Sequence, residues 1–366
     1  MKIVIAGGGT GGHLFPGIAI AEEFLRRSPD TEVLFVGTAR GLESRVIPQA
    51  GYRLDLIEIE GIKGKGWKSW KAALKIPRSL LQAKWILDGF RPRIVVGVGG
   101  YASGPAVLAA AWMGIPTAIA EQNAIPGITN RLLGRFAGRI FLSFPESARW
   151  FPAGRAVVTG NPIRAGLRRC PRPEGRGNRF TLLVFGGSQG ARGINRAMAG
   201  ALPLLRQSGE RLAIVHQTGQ ADHEWMAGAY RESGLEAAVL PFIADMAAAY
   251  READLVLCRA GATSIAEITA CGKAAVFIPF PFAVNDHQTK NAEILRRAGA
   301  AEMIPEKELS AELLAEVIIG LARDPARIRR MEERSAALGN PRAAEAVVDG
   351  CLELIKTSGK ALGVGR

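Results

Sequence analysis

A short apolar strand that runs through a glycine-rich turn into a helix occurs twice in this chain. The first copy has its strand at residues 2–6 and its glycines at 7–12, and the second has residues 179–185 followed by 186–190. After each copy, short apolar segments alternate with segments of helical periodicity. Such alternation is typical of a parallel sheet covered on both faces by helices, with ligands bound beyond the carboxyl ends of the strands. The duplication therefore predicts two α/β domains.

The predicted strands follow one another in the same manner in both halves. In the first half they are residues 2–6, 32–37, 54–59, 94–98, 117–120, 139–142 and 156–159. In the second half they are residues 179–185, 212–216, 237–240, 255–258, 275–279 and 301–304. A turn-rich stretch at residues 171–178 is the candidate linker. We predict domains at 1–162 and 163–340, with a final helix over 341–366 that packs back on the first domain.

Length, charge and cysteine usage restrict the class of protein. The chain has 366 residues, 48% of them hydrophobic, which is enough for two cores. Its 47 Lys and Arg against 34 Asp and Glu give a net charge of +13, which indicates anionic partners such as nucleotide phosphates, nucleic acid or an anionic membrane. The four cysteines form no C-x-x-C pair and the four histidines are scattered. We therefore expect neither a disulfide framework nor a zinc site, as suits a reducing cytosol.

The stretch from Cys258 to Glu267 follows a predicted strand and opens a predicted helix. Residues 260–262 form a tight turn, and Thr263 or Ser264 is the expected N-cap. Backbone N–H groups at such a helix start can hold an anion. Glu267 has two interpretations: it accepts the two hydroxyls of a ribose, or it closes a capping box with Ser264.

The first glycine turn matches the G-x-G-x-x-G dinucleotide fingerprint, which is weak evidence when it stands alone. That fingerprint needs an Asp or Glu at the end of the second strand. Here the strand is followed by Thr38-Ala39-Arg40, which disfavours NAD and weakens the case for NADP. His13 comes directly after the turn and can accept a proton near neutral pH. It is either a general base or a structural histidine at the start of its helix.

Further polar residues follow predicted strands, so they are expected at the carboxyl edges of the sheets. Glu121 is a candidate base or an ion-paired carboxylate, and Asn123 is a sugar ligand or a helix cap. Arg164 is a cation for a diphosphate or a surface residue, and Ser188 stands in the second glycine turn. The chain has no D-x-D metal clamp. Helix N-termini, Ser188 and Arg164 would therefore have to stabilise a leaving diphosphate.

Residues 63–93 form a basic stretch with interleaved tryptophans. Six lysines and three arginines stand against one acid, Asp88. Tryptophan among cations favours an anionic membrane surface over nucleic acid or a core helix with a charged back. The apolar segment before Gly7 is too short for a signal peptide. Glycines and prolines interrupt the uncharged run 94–120, which predicts a buried strand, helix and strand instead of a membrane span.

These motifs together resemble the MurG family of bacterial transferases, which add N-acetylglucosamine to a lipid-linked muramyl-pentapeptide. The resemblance spans nearly the whole chain. The motifs, in chain order, are Gly8-Gly-Thr-Gly-Gly-His13, Gly99-Gly-Tyr-Ala-Ser-Gly104, Glu121-Gln-Asn123, Gly160-Asn-Pro-Ile-Arg164, Gly186-Gly-Ser-Gln-Gly-Ala191, Asp245-Met-Ala-Ala-Ala-Tyr250, Cys258-Arg-Ala-Gly-Ala-Thr263 and Asp286-His-Gln288.

The resemblance implies a GT-B fold, in which two Rossmann-like domains face a central cleft. It also implies peripheral attachment to the cytoplasmic face of the membrane and no cofactor or metal. The residues implied to contact UDP-N-acetylglucosamine are Thr10, Gly11, Gly12, Asn123, Arg164, Ser188, Ile243, Ala262, Thr263, Ser264, Glu267 and Gln288. In this family the residue matching Glu267 holds the ribose, and those matching His13 and Glu121 are the candidates for the base.

The sequence departs from the family at two places. Position 120 is Ala, where some members have a His, so a histidine there is not required in this chain. The loop 279–286 varies in length among such proteins, which leaves open whether His287 or Gln288 meets the sugar.

The expected reaction is a single inverting displacement, in which the base removes a proton from the muramyl 4-hydroxyl as its oxygen attacks C1 of the donor sugar. The product would carry a β-1,4 link. The alternatives are another UDP-sugar enzyme of the same fold, either a glycolipid glycosyltransferase or a UDP-sugar epimerase. An NADP oxidoreductase and a nucleic-acid-binding protein are more distant alternatives.

Overall fold

The computed structural model describes residues 1–59, 69–167, 170, 179–187 and 189–361, with side chains for all of these except 69–75, 284 and 359–361. The chain divides into unit 1, Met1–Ala165 with Arg342–Arg366, and unit 2, Gly166–Pro341. The division after Ala165 lies close to the predicted one after residue 162. The candidate linker at 171–178 lies outside the described residues.

Unit 1 is a parallel sheet with helices on both faces. Its strands are β1 Lys2–Ala6, β2 Glu32–Gly37, β3 Arg53–Leu56, β4 Ile94–Gly97, β5 Thr117–Glu121, β6 Arg139–Leu142 and β7 Ala156–Val158. Its helices are α1 Gly11–Arg27, α2 Glu43–Gln49, α3 Ser69–Phe90, α4 Ser103–Trp112 and α5 Ile128–Leu133. The strand order is β3-β2-β1-β4-β5-β6-β7, with every pair parallel.

Unit 2 repeats this architecture. Its strands are β8 Phe180–Phe185, β9 Leu212–Gln217, β10 Glu236–Leu240, β11 Leu255–Cys258, β12 Ala274–Phe277 and β13 Ala301–Met303. Its helices are α6 Arg192–Gln207, α7 His223–Ser233, α8 Met246–Glu252, α9 Ala262–Ala270, α10 His287–Arg297, α11 Ala311–Ala322 and α12 Pro325–Leu338. The order is β10-β9-β8-β11-β12-β13, again all parallel. Both units are therefore Rossmann-like, which confirms the predicted fold class.

The core of unit 1 follows from the period-two alternation of its central strand, since successive side chains of a strand point to opposite faces. Ile3 and Ile5 face a layer formed by α1 and the last helix, α13 Ala343–Ala361. Val4 and Ala6 face the layer of α3 and α4. Helix α13 is held on α1 by buried apolar contacts and by an ion pair between Arg27 and Asp349.

In each unit the strand order reverses beside the first strand. The reversal lies between β1 and β4 in unit 1 and between β8 and β11 in unit 2. Reversals of this kind leave a crevice at the carboxyl ends of the strands, where open α/β sheets bind their ligands. The glycine-rich turns of the sequence follow β1 and β8, so the topology puts them at these crevices.

Three local predictions were wrong. The sequence predicts a first helix over Phe15 to Arg27, whereas α1 begins at Gly11. Helix α9 begins at Ala262 with Gly261 as its N-cap, so neither Thr263 nor Ser264 caps it and the Ser264–Glu267 capping box does not form. Alanine favours helix, which lets α9 start one residue after the glycine.

The third correction concerns the cysteines, because the structure joins Cys170 and Cys271 in a disulfide. The two residues are 101 positions apart, so their spacing could not indicate the pairing.

Among the described helices, none combines the length and apolar composition needed to cross a bilayer.

Candidate functional site

Two glycine loops pack backbone against backbone at the crevice of unit 1. The Gly8 N–H donates to the Gly99 carbonyl at 3.2 Å. A Cβ atom on Gly100 would lie 2.3 Å from the Gly8 carbonyl oxygen, and Gly100 has a φ of +81°. Both facts require glycine at position 100. The loop after β1 is therefore held in place by the loop after β4.

His13 lies in the first turn of α1, directly beyond these loops. Its Nδ1 atom is 3.1 Å from Oε1 of Gln122, a buried residue that follows β5. A Cβ atom on Gly99 would lie 2.6 Å from the same Nδ1. The absence of a side chain at Gly99 thus makes room for the imidazole, which sits half-buried at the carboxyl edge of the sheet.

Glu43 is a buried carboxylate at this crevice that sequence reasoning missed. It accepts hydrogen bonds from the Gly9 N–H at 2.6 Å, the Thr38 N–H at 3.0 Å and the Thr38 hydroxyl at 2.9 Å. In a dinucleotide-binding fold, by contrast, the glycine-loop N–H groups face a pyrophosphate. A carboxylate that already occupies this loop disfavours a second anion there. The only indication of this contact in the sequence was an acidic residue shortly after the second strand.

Glu121 is almost completely buried, with 2% of its surface exposed. Its Oε1 accepts from the backbone and side-chain N–H groups of Asn123, at 2.9 and 3.3 Å. Its Oε2 accepts from the Gly127 N–H at 3.2 Å and from Asn130 Nδ2 at 2.9 Å. Four donors therefore satisfy this carboxylate, which holds the loop between β5 and α5 in one conformation.

The remaining candidates of unit 1 lie around the start of α1. Thr10 is the N-cap, and Gly11 and Gly12 are the first helical residues. The Arg164 guanidinium stacks over the Phe15 ring at 4.9 Å. The structure thus brings Arg164, which is distant in sequence, to the first turns of this helix.

In unit 2, helix α9 starts at the crevice beside β11. Gly261 has no side chain with which to cap the helix, so the N–H groups of its first turn point out beyond the sheet edge. Ala262 is buried, and Thr263 and Ser264 are half-buried. Such a helix start carries a partial positive charge and is a suitable site for a phosphate.

Glu267 lies one turn further along α9 and is 5% exposed. The Tyr250 hydroxyl donates to its Oε2 at 3.2 Å. Ile243, on the loop before α8, is buried. Gln288 lies at the start of α10 and accepts the Phe280 N–H through Oε1 at 2.9 Å, while His287 is the first residue of that helix. Ser188 lies outside the described residues.

A buried hydrogen-bond network supports the second glycine loop, and sequence reasoning missed it. Asn195 on α6 donates through Nδ2 to the Thr218 carbonyl and to Asp222, both at 2.9 Å. Its Oδ1 is 3.0 Å from His216 Nε2, and Nδ1 of that ring is 2.9 Å from the Tyr230 hydroxyl. Burial lowers the pKa of His216 to about 3. The ring is therefore neutral and structural.

The Thr218 carbonyl leaves no room for a side chain on the glycine loop. A Cβ atom on Gly190 would lie 2.0 Å from that oxygen.

No group of three or more His, Cys, Asp or Glu side chains is placed to hold a metal ion in the part of the chain that the structure describes.

Two family models match the chain in succession. The glycosyltransferase family 28 N-terminal domain matches residues 3–142, and the family 28 C-terminal domain matches residues 181–347.

Close relatives cover nearly the full chain. A protein of Syntrophus aciditrophicus named UDP-N-acetylglucosamine--N-acetylmuramyl-(pentapeptide) pyrophosphoryl-undecaprenol N-acetylglucosamine transferase is 58% identical over 97% of this chain and 99% of its own. A Pelobacter propionicus protein of the same name is 53% identical over 95% of this chain and 98% of its own.

Solved structures also resemble the chain. The crystal structure of Acinetobacter baumannii MurG has a TM-score of 0.77 and 35% identity, over 95% of this chain and 98% of that one. A UDP-GlcNAc 2-epimerase from Neisseria meningitidis bound to UDP-GlcNAc has a TM-score of 0.67 at 12% identity, over 96% and 100%. This second likeness shows the fold alone.

Proposed function

The chain belongs to glycosyltransferase family 28, and within it to the MurG enzymes of the GT-B fold, and from this premise we propose its reaction and the residues that carry it. It transfers N-acetylglucosamine from UDP-N-acetylglucosamine to the lipid-linked muramyl-pentapeptide, lipid I, and so forms lipid II and UDP. The carrying observation is the 58% identity over 97% of the chain to a relative of that name.

The donor-binding residues proposed for unit 2 fit the architecture of α9. The N-terminus of the helix binds the diphosphate, because the N–H groups of its first turn and its dipole favour an anion. Glu267 accepts ribose hydroxyls one turn further on, and its hydrogen bond from Tyr250 supports the orientation of the carboxylate. The other proposed donor ligands of this unit are Ser188, Ile243, Ala262, Thr263, Ser264 and Gln288.

Gln288 is a better candidate than His287 for the sugar contact. Its Oε1 is anchored by the Phe280 N–H, which directs the Nε2 donor of the same amide away from the backbone. A sugar hydroxyl is a suitable acceptor for that donor. The proposal therefore assigns the contact to Gln288.

His13 is our proposed general base, and Glu121 is the residue that holds its surroundings. The four hydrogen bonds to the Glu121 carboxylate occupy both of its oxygens. His13 is only half-buried and stands at the carboxyl edge of the sheet. As His13 takes the proton of the muramyl 4-hydroxyl, the oxygen attacks C1, the bond to the diphosphate breaks, and the sugar inverts.

Departing UDP carries the negative charge that develops in this step. The α9 N-terminus and Arg164 stabilise this charge. Thr10, Gly11, Gly12 and Asn123 of unit 1 are further proposed contacts of the donor substrate. Stacking on Phe15 supports a fixed orientation for the Arg164 guanidinium.

Membrane attachment is proposed through the outer surface of α3, α4 and α5, which we call the aromatic layer. Its exposed apolar side chains are Leu81, Trp85, Trp112, Ile128 and Leu132, and Phe136 is exposed in the turn just after α5. Nearby, Arg131 stacks over Trp150 at 3.6 Å. Aromatic and basic side chains together suit an anionic bilayer surface on the cytoplasmic side. The proposed stretch 63–93 overlaps this layer, although its residues 63–68 lie outside the described part.

An assay with radiolabelled UDP-N-acetylglucosamine and a lipid-linked muramyl acceptor tests the reaction. We expect label in the lipid product only when the acceptor is present. His13→Ala should lower kcat by about 10²- to 10⁴-fold, the usual contribution of a general base. Label transfer that is undiminished in His13→Ala would exclude His13 as the base.

Incubation with the donor alone separates the closest alternative. A UDP-sugar epimerase acts without an acceptor, so epimerised UDP-sugar in that incubation would contradict the transferase. The same protein should show no affinity for NADP, because Glu43 already occupies the N–H group of Gly9. Binding to oligonucleotides in place of anionic vesicles would overturn the membrane proposal.

A further inference from the structure

Gln122 is fully buried beneath His13, with 1% of its surface exposed. Its Nε2 atom donates to the Val98 carbonyl at 3.1 Å and to the Ala120 carbonyl at 3.3 Å. Val98 follows β4 and Ala120 belongs to β5, so one side chain bridges two neighbouring strands. The amide is anchored at the carboxyl edge of the sheet.

These two carbonyls determine which way the amide points. If the amide were turned over, its oxygen would face two backbone oxygens, and neither could donate a hydrogen bond. The amide oxygen must therefore face the remaining neighbour, His13 Nδ1, at 3.1 Å. An amide oxygen only accepts, so the hydrogen of this bond comes from the ring. The neutral imidazole consequently carries its proton on Nδ1.

We propose that Gln122 is a positioning residue, which holds His13 in the Nδ1–H tautomer and so keeps the Nε2 lone pair available to receive the proton of the acceptor hydroxyl. The inference rests on the proposed role of His13 as the base. It assigns a role to Gln122, the middle residue of the Glu-Gln-Asn motif. Its neighbour Glu121 holds the loop, and Asn123 is one of the residues that donate to Glu121.

The packing around the ring supports this task. The ring edge that bears Nδ1 lies against Gly99, where a Cβ atom would come within 2.6 Å of Nδ1. Within the described residues, Gln122 is the side chain that hydrogen-bonds the ring. Rotation of the imidazole would break that bond and leave the buried amide oxygen unsatisfied, which is unfavourable. One orientation and one tautomer are therefore selected together.

Nitrogen NMR of the full chain with ¹⁵N-labelled histidine measures the tautomer without reference to activity. The His13 signals are assigned by their loss in His13→Gln, and spectra are recorded as a series of rising pH until these signals no longer change. We expect wild-type His13 to show a protonated Nδ1 and a bare Nε2. In Gln122→Met, which keeps the volume but lacks the acceptor, the protonated fraction at Nδ1 should fall. An unchanged His13 spectrum in Gln122→Met would overturn the proposal.

Gln217→Met is the matched control, because Gln217 is also buried and donates through Nε2 to a backbone carbonyl, that of Pro241, at 3.2 Å. This variant loses a comparable amide bond in unit 2 and should leave the His13 tautomer as it is in the wild type. A His13 signal that changes equally in both variants would indicate a general loss of order and would count against the proposal.

Kinetics provide the second measurement. Gln122→Met should lower kcat by about 10²-fold, the loss that misplacement of a reacting group causes, with the Kd for UDP unchanged. A tautomer shift with full kcat would refute the positioning role. Failure of the proposed function would give a different result. Full kcat in His13→Ala would show that His13 is not the base, whereas the NMR result on its tautomer would still hold.

Discussion

At the scale of single residues, two buried carboxylates lie in different surroundings. Glu121 is satisfied by four donors from its own loop and serves to hold that loop. Glu267 instead lies one turn into α9, whose N-cap is the glycine Gly261, and it accepts a hydrogen bond from the Tyr250 hydroxyl. Residue type and burial are the same in both cases. The surroundings differ, because Glu121 is enclosed by its own loop and Glu267 lies on a helix beside the crevice.

The role of Glu267 can be measured by UDP binding. Glu267→Ala should raise the Kd for UDP by about 10- to 100-fold, because hydrogen bonds to a charged group contribute about 1.5–3 kcal/mol. Isothermal titration with UDP and 2′-deoxy-UDP measures the effect. The wild type should discriminate between the two ligands, and Glu267→Ala should lose most of that discrimination.

Tyr250→Phe is the control for this experiment, since it removes only the hydroxyl that donates to Glu267. We expect a smaller loss of UDP affinity, with discrimination against the deoxy ligand retained. Equal discrimination by wild type and Glu267→Ala would show that the carboxylate does not hold the ribose.

The buried His216 predicts a pH dependence of stability. Its folded pKa of about 3 lies below the ordinary value of 6.5, so the unfolded chain binds a proton more readily. The contribution is present above about pH 6.5 and is lost as pH falls towards 3. Between pH 8 and pH 5, this residue alone should reduce the free energy of unfolding by about 2 kcal/mol. Denaturant titration of wild type and His216→Gln should show a shallower pH dependence in the variant, and identical slopes would contradict the assignment.

At the scale of elements, both crevices depend on loops whose backbones touch. In unit 1 the loops after β1 and β4 meet at Gly8 and Gly100. In unit 2 the loop after β8 meets Thr218 at Gly190, and the Asn195 network fixes that threonine from behind. A helix N-terminus can bind a ligand only when the preceding loop has one conformation. The glycines thus position α1, and the Asn195 network supports the loop before α6.

Substitution of Gly100 tests whether backbone contact or only backbone conformation requires glycine. Gly51 is the matched control, because both residues have a φ of +81° but a Cβ atom on Gly51 would meet nothing within 4 Å. Gly51→Ala should lower the free energy of unfolding by about 1–2 kcal/mol, the cost of a left-handed alanine. Gly100→Ala should cost clearly more and also lower kcat, because His13 follows the displaced loop. Equal losses of stability in both variants would mean that the contact with Gly8 is unimportant.

At the scale of the whole molecule, unit 1 differs from unit 2 in what its helices expose. The aromatic layer of unit 1 places Trp85 and Trp112 outward, at 69% and 68% exposure. Large apolar side chains that cluster on a surface indicate an interaction site. The net charge of +13 favours an anionic partner. This difference supports our proposal that unit 1 contacts the membrane.

Vesicle flotation measures this asymmetry. Replacing Trp85 and Trp112 together by Ser should weaken binding to vesicles that contain phosphatidylglycerol by about 10-fold or more, since a buried large apolar side chain contributes about 1.5–3 kcal/mol. Trp225→Ser in unit 2 is the control and should bind as the wild type does. Added salt should weaken wild-type binding, because it screens the basic residues. Equal binding by the wild type and both variants would exclude the aromatic layer as the membrane-binding surface.

The sequence by itself determined the alternation of strands and helices, and with it the two Rossmann-like units, because period-two and period-3.6 patterns are local properties of the chain. It also carried the motifs that indicate the family. Predicted strand ends differ from the structure by only a few residues, for example 54–59 against Arg53–Leu56. The N-cap of α9 was missed, because the helix begins directly after Gly261 instead of at a residue with a capping side chain.

Only the tertiary structure decided which polar groups meet. Glu43 reaches Gly9 across 34 positions, Gln122 reaches His13 across 109, and Cys170 reaches Cys271 across 101. Such contacts depend on strand order and on the crossings between strands, which leave no periodic mark in the chain. Burial then decides the chemistry, because a polar side chain removed from water must take the partner that the fold provides.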